Sequence, residues 1–206
     1  MMRIDKALIY EAPGADPTID RSVLDTPDGK ITIVAVGDPI QAPAVAHELA
    51  AHGAKLIELC GGISPAWRPK VSAVVGPDVQ VSSVTFGIES LQPAAAYNQA
   101  FIDGKPPLAA FIILKTDAEP DQDRLVTVFP PLETHFVRVP DGASAAKVAA
   151  DLAQAGFGLI ELYGGFSTED ATAVIEAVDG LAPVGVGSFA LDALQPVYRA
   201  ATGRAA

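Results

Sequence analysis

The chain has 206 residues, of which 50% are hydrophobic and 6% aromatic, and its formal net charge at pH 7 is −11. Such an acidic chain repels nucleic-acid phosphates and anionic lipid headgroups, so neither nucleic acid nor a membrane is expected as a partner. Its single cysteine, Cys60, excludes an internal disulfide and a cysteine-based zinc site. No signal-peptide segment and no apolar run of roughly 18 residues is present, so we expect a cytoplasmic protein.

The sequence contains two copies of one pattern. Residues 56–64 (LIELCGGIS) recur as residues 159–167 (LIELYGGFS), 103 positions further along the chain. The same spacing, without a gap, also pairs Arg21 with Arg124. Self-similarity at a fixed spacing indicates repeated structural units, so we predict two homologous lobes of about 100 residues each.

Each lobe has the same order of predicted elements. In the first lobe they are a strand at 6–11, a hairpin at 21–26 and 30–36, a helix between Asp38 and Gly53, a strand at 55–60, a helix at 64–75 and a strand at 79–86. Pro27-Asp28-Gly29 is typical of a hairpin turn, and Asp38-Pro39 suits the N-cap and first position of a helix. The second lobe repeats this order and closes with a strand at 183–189.

This order of strand, hairpin, helix, strand, helix and strand predicts an α/β fold. We expect two tandem homologous lobes, each a mixed, largely parallel sheet with helices, related by a pseudo-two-fold axis. The lobes are predicted at 1–100 and 108–206, and a short, proline-stiffened linker at 101–107 favours their packing together. Three arrangements stay open: separate sheets, one shared sheet or a barrel. The resulting pseudo-dimer is expected as a monomer or a homodimer.

The core motif carries a resemblance to a known family. The run Leu-Ile-Glu-Leu-Cys-Gly-Gly, the helix that ends at Gly53 and the opening Ala-Leu-Ile-Tyr strand resemble a family of small uncharacterised bacterial proteins, each about one lobe long. The resemblance covers both lobes and implies a fused pair. The chain departs from the family pattern at Tyr163, where the family has cysteine, and at Ile63, where it has an aromatic residue. The resemblance implies a fold and no particular chemistry.

Glu58 with Cys60, and Glu161 with Tyr163, are the sharpest candidates for a catalytic role. Side chains two apart on a strand point to the same face. Both pairs lie at the carboxyl end of a strand, where open α/β sheets bind their ligands. A carboxylate within an apolar run is desolvated, so its pKa is expected to rise toward the range that suits a general acid or base.

Alternatives to catalysis remain open at both pairs. The glutamates are equally well explained as structural groups, held by Arg21 and Arg124, which both lobes retain, or by backbone N–H groups. Cys60 is either a nucleophile or, as free cysteines more often are, a small buried hydrophobe. The tyrosine at the matching position argues against a thiol chemistry shared by both lobes.

Glycine turns follow both of these strands. Gly61-Gly62 and Gly164-Gly165 allow backbone N–H groups to approach a ligand, and Ser64 caps a following helix whose N-terminus favours an anion. The alternative is a tight strand-to-helix turn with an ordinary N-cap.

The lobes differ beside these turns. Trp67 and Arg68 align with Asp170 and Ala171 of the second lobe. An anionic or aromatic ligand is therefore expected to prefer the first lobe, although divergence of surface residues between duplicated copies explains the difference as well.

Two functional hypotheses follow. The first is a cofactor-independent enzyme that acts on a small polar organic molecule by general acid/base chemistry, as an isomerase, lyase, cyclase or hydrolase. The second is a non-catalytic protein that binds or senses a small molecule, such as an anion. No metal is expected, because no two histidines have metal-ligand spacing.

Overall fold

The computed structural model describes residues 5–26 and 29–189, and the side chain of Phe189 is outside this description. The predicted turn residues Pro27 and Asp28, and the part of the second lobe after residue 189, therefore lie outside the described residues. The strands of the first half are β1 (Asp5–Glu11), β2 (Arg21–Thr26), β3 (Gly29–Val36), β4 (Ala54–Cys60) and β5 (Gln80–Phe86). Those of the second half are β6 (Ala109–Leu114), β7 (Arg124–Phe129), β8 (Leu132–Val139), β9 (Leu159–Tyr163) and β10 (Val184–Phe189).

The helices match the predicted order, with one addition. They are α1 (Ala42–Ala51), α2 (Arg68–Val75), α3 (Leu91–Ile102), α4 (Gly142–Gln154) and α5 (Thr168–Val178). Asp38 caps a short 3₁₀ turn that leads into α1, and Asp141 caps α4 directly. The helix α3 is the addition: its last two residues occupy the start of the segment that we predicted to be a linker.

All ten described strands form one sheet. Their order is β2-β3-β1-β4-β5-β10-β9-β6-β8-β7. The equivalent strands of the second half therefore follow the same order as those of the first half, but in reverse. The halves join where β5 pairs with β10 antiparallel, while the pairings within each half are parallel except at the hairpins. The structure therefore resolves the open question in favour of one continuous, largely parallel sheet with a pseudo-two-fold axis between its central strands.

The two faces of the sheet have different partners. On the outer face, α1 and α2 cover the first half and α4 and α5 cover the second, each pair with a separate hydrophobic core. On the inner face, both halves contribute to a single core, in which Tyr10 packs edge-on against Phe111 and Phe136. Strands covered on both faces are mostly apolar, which explains the nearly continuous hydrophobic runs of β4, β6 and β9.

The inner faces meet because the sheet curls on itself. The Tyr10 hydroxyl on β1 donates a hydrogen bond of 3.0 Å to Thr127 Oγ1 on β7, which is at the far edge of the sheet. The helix α3 lies on this inner side, where Tyr97 packs against the shared core. It thus separates the two copies in sequence and covers part of their joint interior.

Candidate functional site

Glu58 and Glu161 lie in the interior between the two halves. Glu58 on β4 is 3% exposed and Glu161 on β9 is 1% exposed. In the parallel register Glu58 is opposite Leu8, and Glu161 is opposite Phe111, which are both members of the inner core. The predicted common face of Glu58 with Cys60, and of Glu161 with Tyr163, is therefore the inner face.

Each glutamate is held by the glycine turn of the other half. The backbone N–H of Gly164 donates to Glu58 Oε2 at 3.0 Å, and that of Gly61 donates to Glu161 Oε2 at 2.9 Å. The two bonds are related by the pseudo-two-fold axis. They use the glycine turns as donors to the protein's own carboxylates, and so link the halves reciprocally.

The two arginines do not hold the glutamates. Arg21 pairs with Glu48 on α1 at 2.7 Å and thereby ties β2 to the outer helix layer. Arg124 donates to the Pro120 carbonyl at 2.7 Å and lies 3.8 Å from Asp121. The prediction that these arginines partner the glutamates is wrong, because both side chains are taken up by acceptors in their own half; the alternative of backbone N–H donors is the one observed.

Burial controls the ionisation of both glutamates. It raises the pKa of Glu58 to about 7, against the opposing effects of the Gly164 N–H, the Lys6 charge and the Ser82 hydroxyl. It also raises the pKa of Glu161 to about 7, against the effects of the Tyr163 hydroxyl and the Gly61 N–H. Both carboxyl groups therefore exchange protons near neutral pH, as expected from their apolar surroundings.

Cys60 and Tyr163 meet in the centre of the molecule. The Tyr163 hydroxyl donates to Glu161 Oε2 at 2.5 Å. The Cys60 thiol is fully buried and donates to the Glu58 carbonyl at 3.3 Å. Burial raises the pKa of this thiol well above its ordinary value, which disfavours the thiolate that a nucleophile needs. In this position Cys60 is a core residue.

A cavity of about 250 Å³ opens between α3 and the inner face, and we refer to it as the α3 cavity. Residues at helical spacing on one face of α3, such as Tyr97 and Phe101, form one wall, and Glu161 lies on another. Gly61 and Gly62 also line it, next to Glu11 at the end of β1. Of the two glutamates, Glu161 is the one that lines the α3 cavity.

Ser64, Trp67 and Arg68 lie away from this cavity. Ser64 accepts a hydrogen bond from the Ala66 N–H at 3.2 Å and acts as an N-cap. Trp67 packs against the outer core, under the ammonium group of Lys70. Arg68 donates a hydrogen bond to Ser83 on β5. The neighbouring Ser82, which bonds to Glu58, points to the inner face, so Ser83 and Arg68 lie on the outer face. The predicted contacts of these three residues with a ligand beside the glutamates are corrected, because the chain leaves the inner face after Gly62.

The second glycine turn has two distinct members. Gly164 is buried against Leu114 and carries the N–H that holds Glu58. Gly165 is exposed at a φ of +95°, with no atom within 4 Å of an added Cβ. Gly164 therefore has a specific partner, whereas Gly165 serves the geometry of the turn.

Several residues of the interior are not predicted from the sequence. The aromatic residues of α3 were overlooked because that helix was not predicted, and Lys6 was not considered. A comparison of the copies offered a signal for Lys6, since its counterpart at the 103-residue spacing is Ala109.

Within the described residues, no cluster of histidine, cysteine, aspartate or glutamate is arranged to hold a metal ion. In the same part of the chain, no helix has the length and apolar character needed to cross a membrane.

Fold and site together define a tandem-duplicated α/β protein with reciprocal carboxylate–glycine links between its halves. The chain belongs to a family of unknown function (DUF6506), whose sequence model matches it twice, at residues 5–99 and 108–201. The double match confirms the resemblance carried by the core motif and the tandem duplication.

Comparison with known proteins adds distant structural similarities. One similar solved structure is an ABC transporter solute-binding protein from Aeropyrum pernix K1; it has 12% identity and a TM-score of 0.30, and the match covers 85% of this chain and 59% of that chain. Another is a carbohydrate transporter from Acidothermus cellulolyticus 11B in complex with myo-inositol; it has 14% identity and a TM-score of 0.32, and the match covers 89% of this chain and 73% of that chain. A search of curated protein sequences gave no significant match.

Proposed function

We propose that the protein binds a small organic molecule in the α3 cavity. The observation that carries this proposal is a partly open cavity whose walls are largely apolar and which has a buried carboxylate, Glu161, on one side. Ligand sites combine apolar walls with a few fixed polar groups. The volume of about 250 Å³ lies just below the roughly 300–1,000 Å³ usual for such sites, so the ligand is small.

The polar groups of the cavity are held in place by the fold. Glu161 is oriented by Tyr163 and by Gly61, and both of these bonds are accepted by Oε2. Within the described residues Oε1 has no hydrogen-bond donor, so it is the oxygen available to a ligand. A preorganised acceptor of this kind gives orientation at a low entropic cost on binding.

A second candidate function is general acid/base catalysis at the same place. It is favoured by Glu161, whose pKa of about 7 suits proton transfer at neutral pH and whose partner Tyr163 is a second proton donor. Proton-transfer chemistry of the isomerase or lyase type needs no metal or redox cofactor. We rank it second because the bond from the Gly61 N–H to Glu161 is explained by a role in joining the two halves.

The proposed function is tested by filling the cavity. Ala94 on α3 lines the cavity, whereas Ala95 is exposed on the same helix and does not line it. In a thermal-shift screen of small metabolites, we expect hits on the unmodified protein and on Ala95→Phe to be weakened at least tenfold in Ala94→Phe. A ligand present at 100 times its Kd adds about 2.7 kcal/mol of stability, which is readily measured.

Two results would count against binding in this cavity. One is a screen without any hit; the other is equal affinity for Ala94→Phe and Ala95→Phe in calorimetry. Mass spectrometry of the same mixtures separates the two candidate functions, because a binding protein leaves its ligand unchanged and an enzyme forms a product.

A further inference from the structure

The two glutamates differ in their nearest cation. Lys6 on β1 extends across the interior, where its ammonium group donates to the Gly164 carbonyl at 3.0 Å. The N–H of the same glycine donates to Glu58, and the Lys6 charge acts against the burial that raises the pKa of this carboxyl group. Lys6, Gly164 and Glu58 thus form a compact group in which a resident cation accompanies the buried carboxylate.

The equivalent cation is missing at Glu161. At the 103-residue spacing, Lys6 corresponds to Ala109, Gly164 to Gly61 and Glu58 to Glu161. Ala109, Gly61 and Glu161 all line the α3 cavity. The position that the Lys6 ammonium occupies in one half therefore corresponds to space beside Ala109 in the other, next to the Gly61 carbonyl and the Glu161 carboxylate.

The walls of the cavity suit a positive charge. Its lining includes the carboxylates of Glu11 and Glu161 and, among the residues that the structure describes, neither lysine nor arginine. Five aromatic side chains also line it, in a protein with only 6% aromatic residues. Aromatic faces attract cations, and carboxylates in a partly desolvated cavity attract them more strongly. The aromatic residues are Tyr10, Phe86, Tyr97, Phe101 and Phe111.

We propose, building on the small-molecule function above, that the α3 cavity takes a small organic ammonium ion. Its ammonium group occupies the place equivalent to that of Lys6, where it donates to the Gly61 carbonyl and pairs with Glu161. Its apolar body packs against the aromatic walls. The pseudo-two-fold axis thus relates a cation supplied by the chain to a cation supplied by the ligand.

The proposal is tested with two probes of nearly equal shape, 2-phenylethylamine and 2-phenylethanol, in calorimetry at pH 8. The amine keeps its charge at this pH, since alkylammonium groups have pKa values near 10. We expect the amine to bind at least tenfold more tightly than the alcohol. Equal or tighter binding of the alcohol, or no binding of the amine, would overturn the ammonium proposal. Neither result would overturn the small-molecule function, which the metabolite screen with Ala94→Phe and Ala95→Phe decides.

Variants at two positions sharpen this test. Glu161→Gln retains an acceptor for the Gly61 N–H but removes the charge, so the preference for the amine over the alcohol should fall at least tenfold. An unchanged preference would contradict the pairing with Glu161.

Ala109→Lys places a tethered ammonium in the cavity and should abolish amine binding, with Ala109→Met as the uncharged control of similar length. If the cavity holds a cation, the lysine variant melts at a higher temperature than the methionine variant at pH 8; a lower or equal melting temperature would contradict it.

Discussion

At the scale of single residues, two buried carboxyl groups dominate the chemistry of the interior. Glu58 and Glu161 have pKa values of about 7, raised from their ordinary 4.5 by burial. Because the folded pKa is higher than the unfolded one, the folded state binds more protons than the unfolded state between these values. Stability from these groups is therefore present below pH 4.5 and is lost as the pH rises through 7.

This linkage predicts a specific effect of removing the two charges. The free energy of unfolding of the unmodified protein should fall between pH 5 and 8, with a slope of up to about 1.4 kcal/mol per pH unit for each of the two carboxyl groups. In the double variant Glu58→Gln and Glu161→Gln, urea titrations should give a much smaller fall. Glu48→Gln is the control, because the pKa of Glu48 is lowered by Arg21 and its titration lies below this range. A double variant with the same pH dependence as the unmodified protein would refute the linkage.

At the scale of elements, the glycine turn after β9 links the two halves through a backbone group. Gly164 has a φ of +96°, and a Cβ added there would lie 2.8 Å from the Leu114 carbonyl oxygen. Gly165 has nearly the same φ, +95°, but open space around it. Both positions strain a residue with a side chain, and only one of them also collides with β6.

The two glycines therefore form a matched pair for mutation. We expect Gly165→Ala to cost about 1 kcal/mol through backbone strain alone. Gly164→Ala should cost about 1–3 kcal/mol more, because the collision with Leu114 shifts the N–H that holds Glu58. Urea midpoints at pH 7 measure both costs. Equal losses of stability would show that the close approach of Gly164 to β6 carries no energy.

At the scale of the whole molecule, the two copies form one folding unit. The sheet is continuous across β5 and β10, and the inner core contains residues of both halves. Single domains with a shared core usually unfold in one cooperative transition. A substitution that destabilises one half should therefore also lower the stability of the other half.

Trp67 allows this coupling to be measured, because it is the single tryptophan and lies in the first half. Val174 on α5 is fully buried in the second half, and its counterpart Val71 is fully buried on α2. We expect Val174→Ala to shift the urea midpoint of Trp67 fluorescence as much as that of far-ultraviolet circular dichroism, by an amount that corresponds to about 2 kcal/mol. Val71→Ala, the control in the first half, should shift both signals equally. A fluorescence midpoint unaffected by Val174→Ala would mean that the halves unfold independently.

Much of this architecture was predictable from the sequence, because it rests on local patterns and on the duplication. The repeat at a 103-residue spacing determined two equivalent halves, and hydrophobic periodicity located the paired strands and helices. Alternation along a strand placed Glu58 and Cys60 on one face. The helix α3 is not predicted, because it follows the last predicted strand of the first lobe and ends inside the predicted linker.

Only the tertiary structure decided which groups meet between the halves. The bonds from Gly61 to Glu161 and from Gly164 to Glu58 join positions 100 and 106 residues apart, and nothing in either strand specifies its distant partner. Arg21, retained in both copies, was an equally plausible partner until its ion pair with Glu48 was observed. Sequence periodicity is a local property and determines which face a side chain occupies. The contacts of that face depend on how the two halves join at β5 and β10, which is set by the packing of the whole inner core.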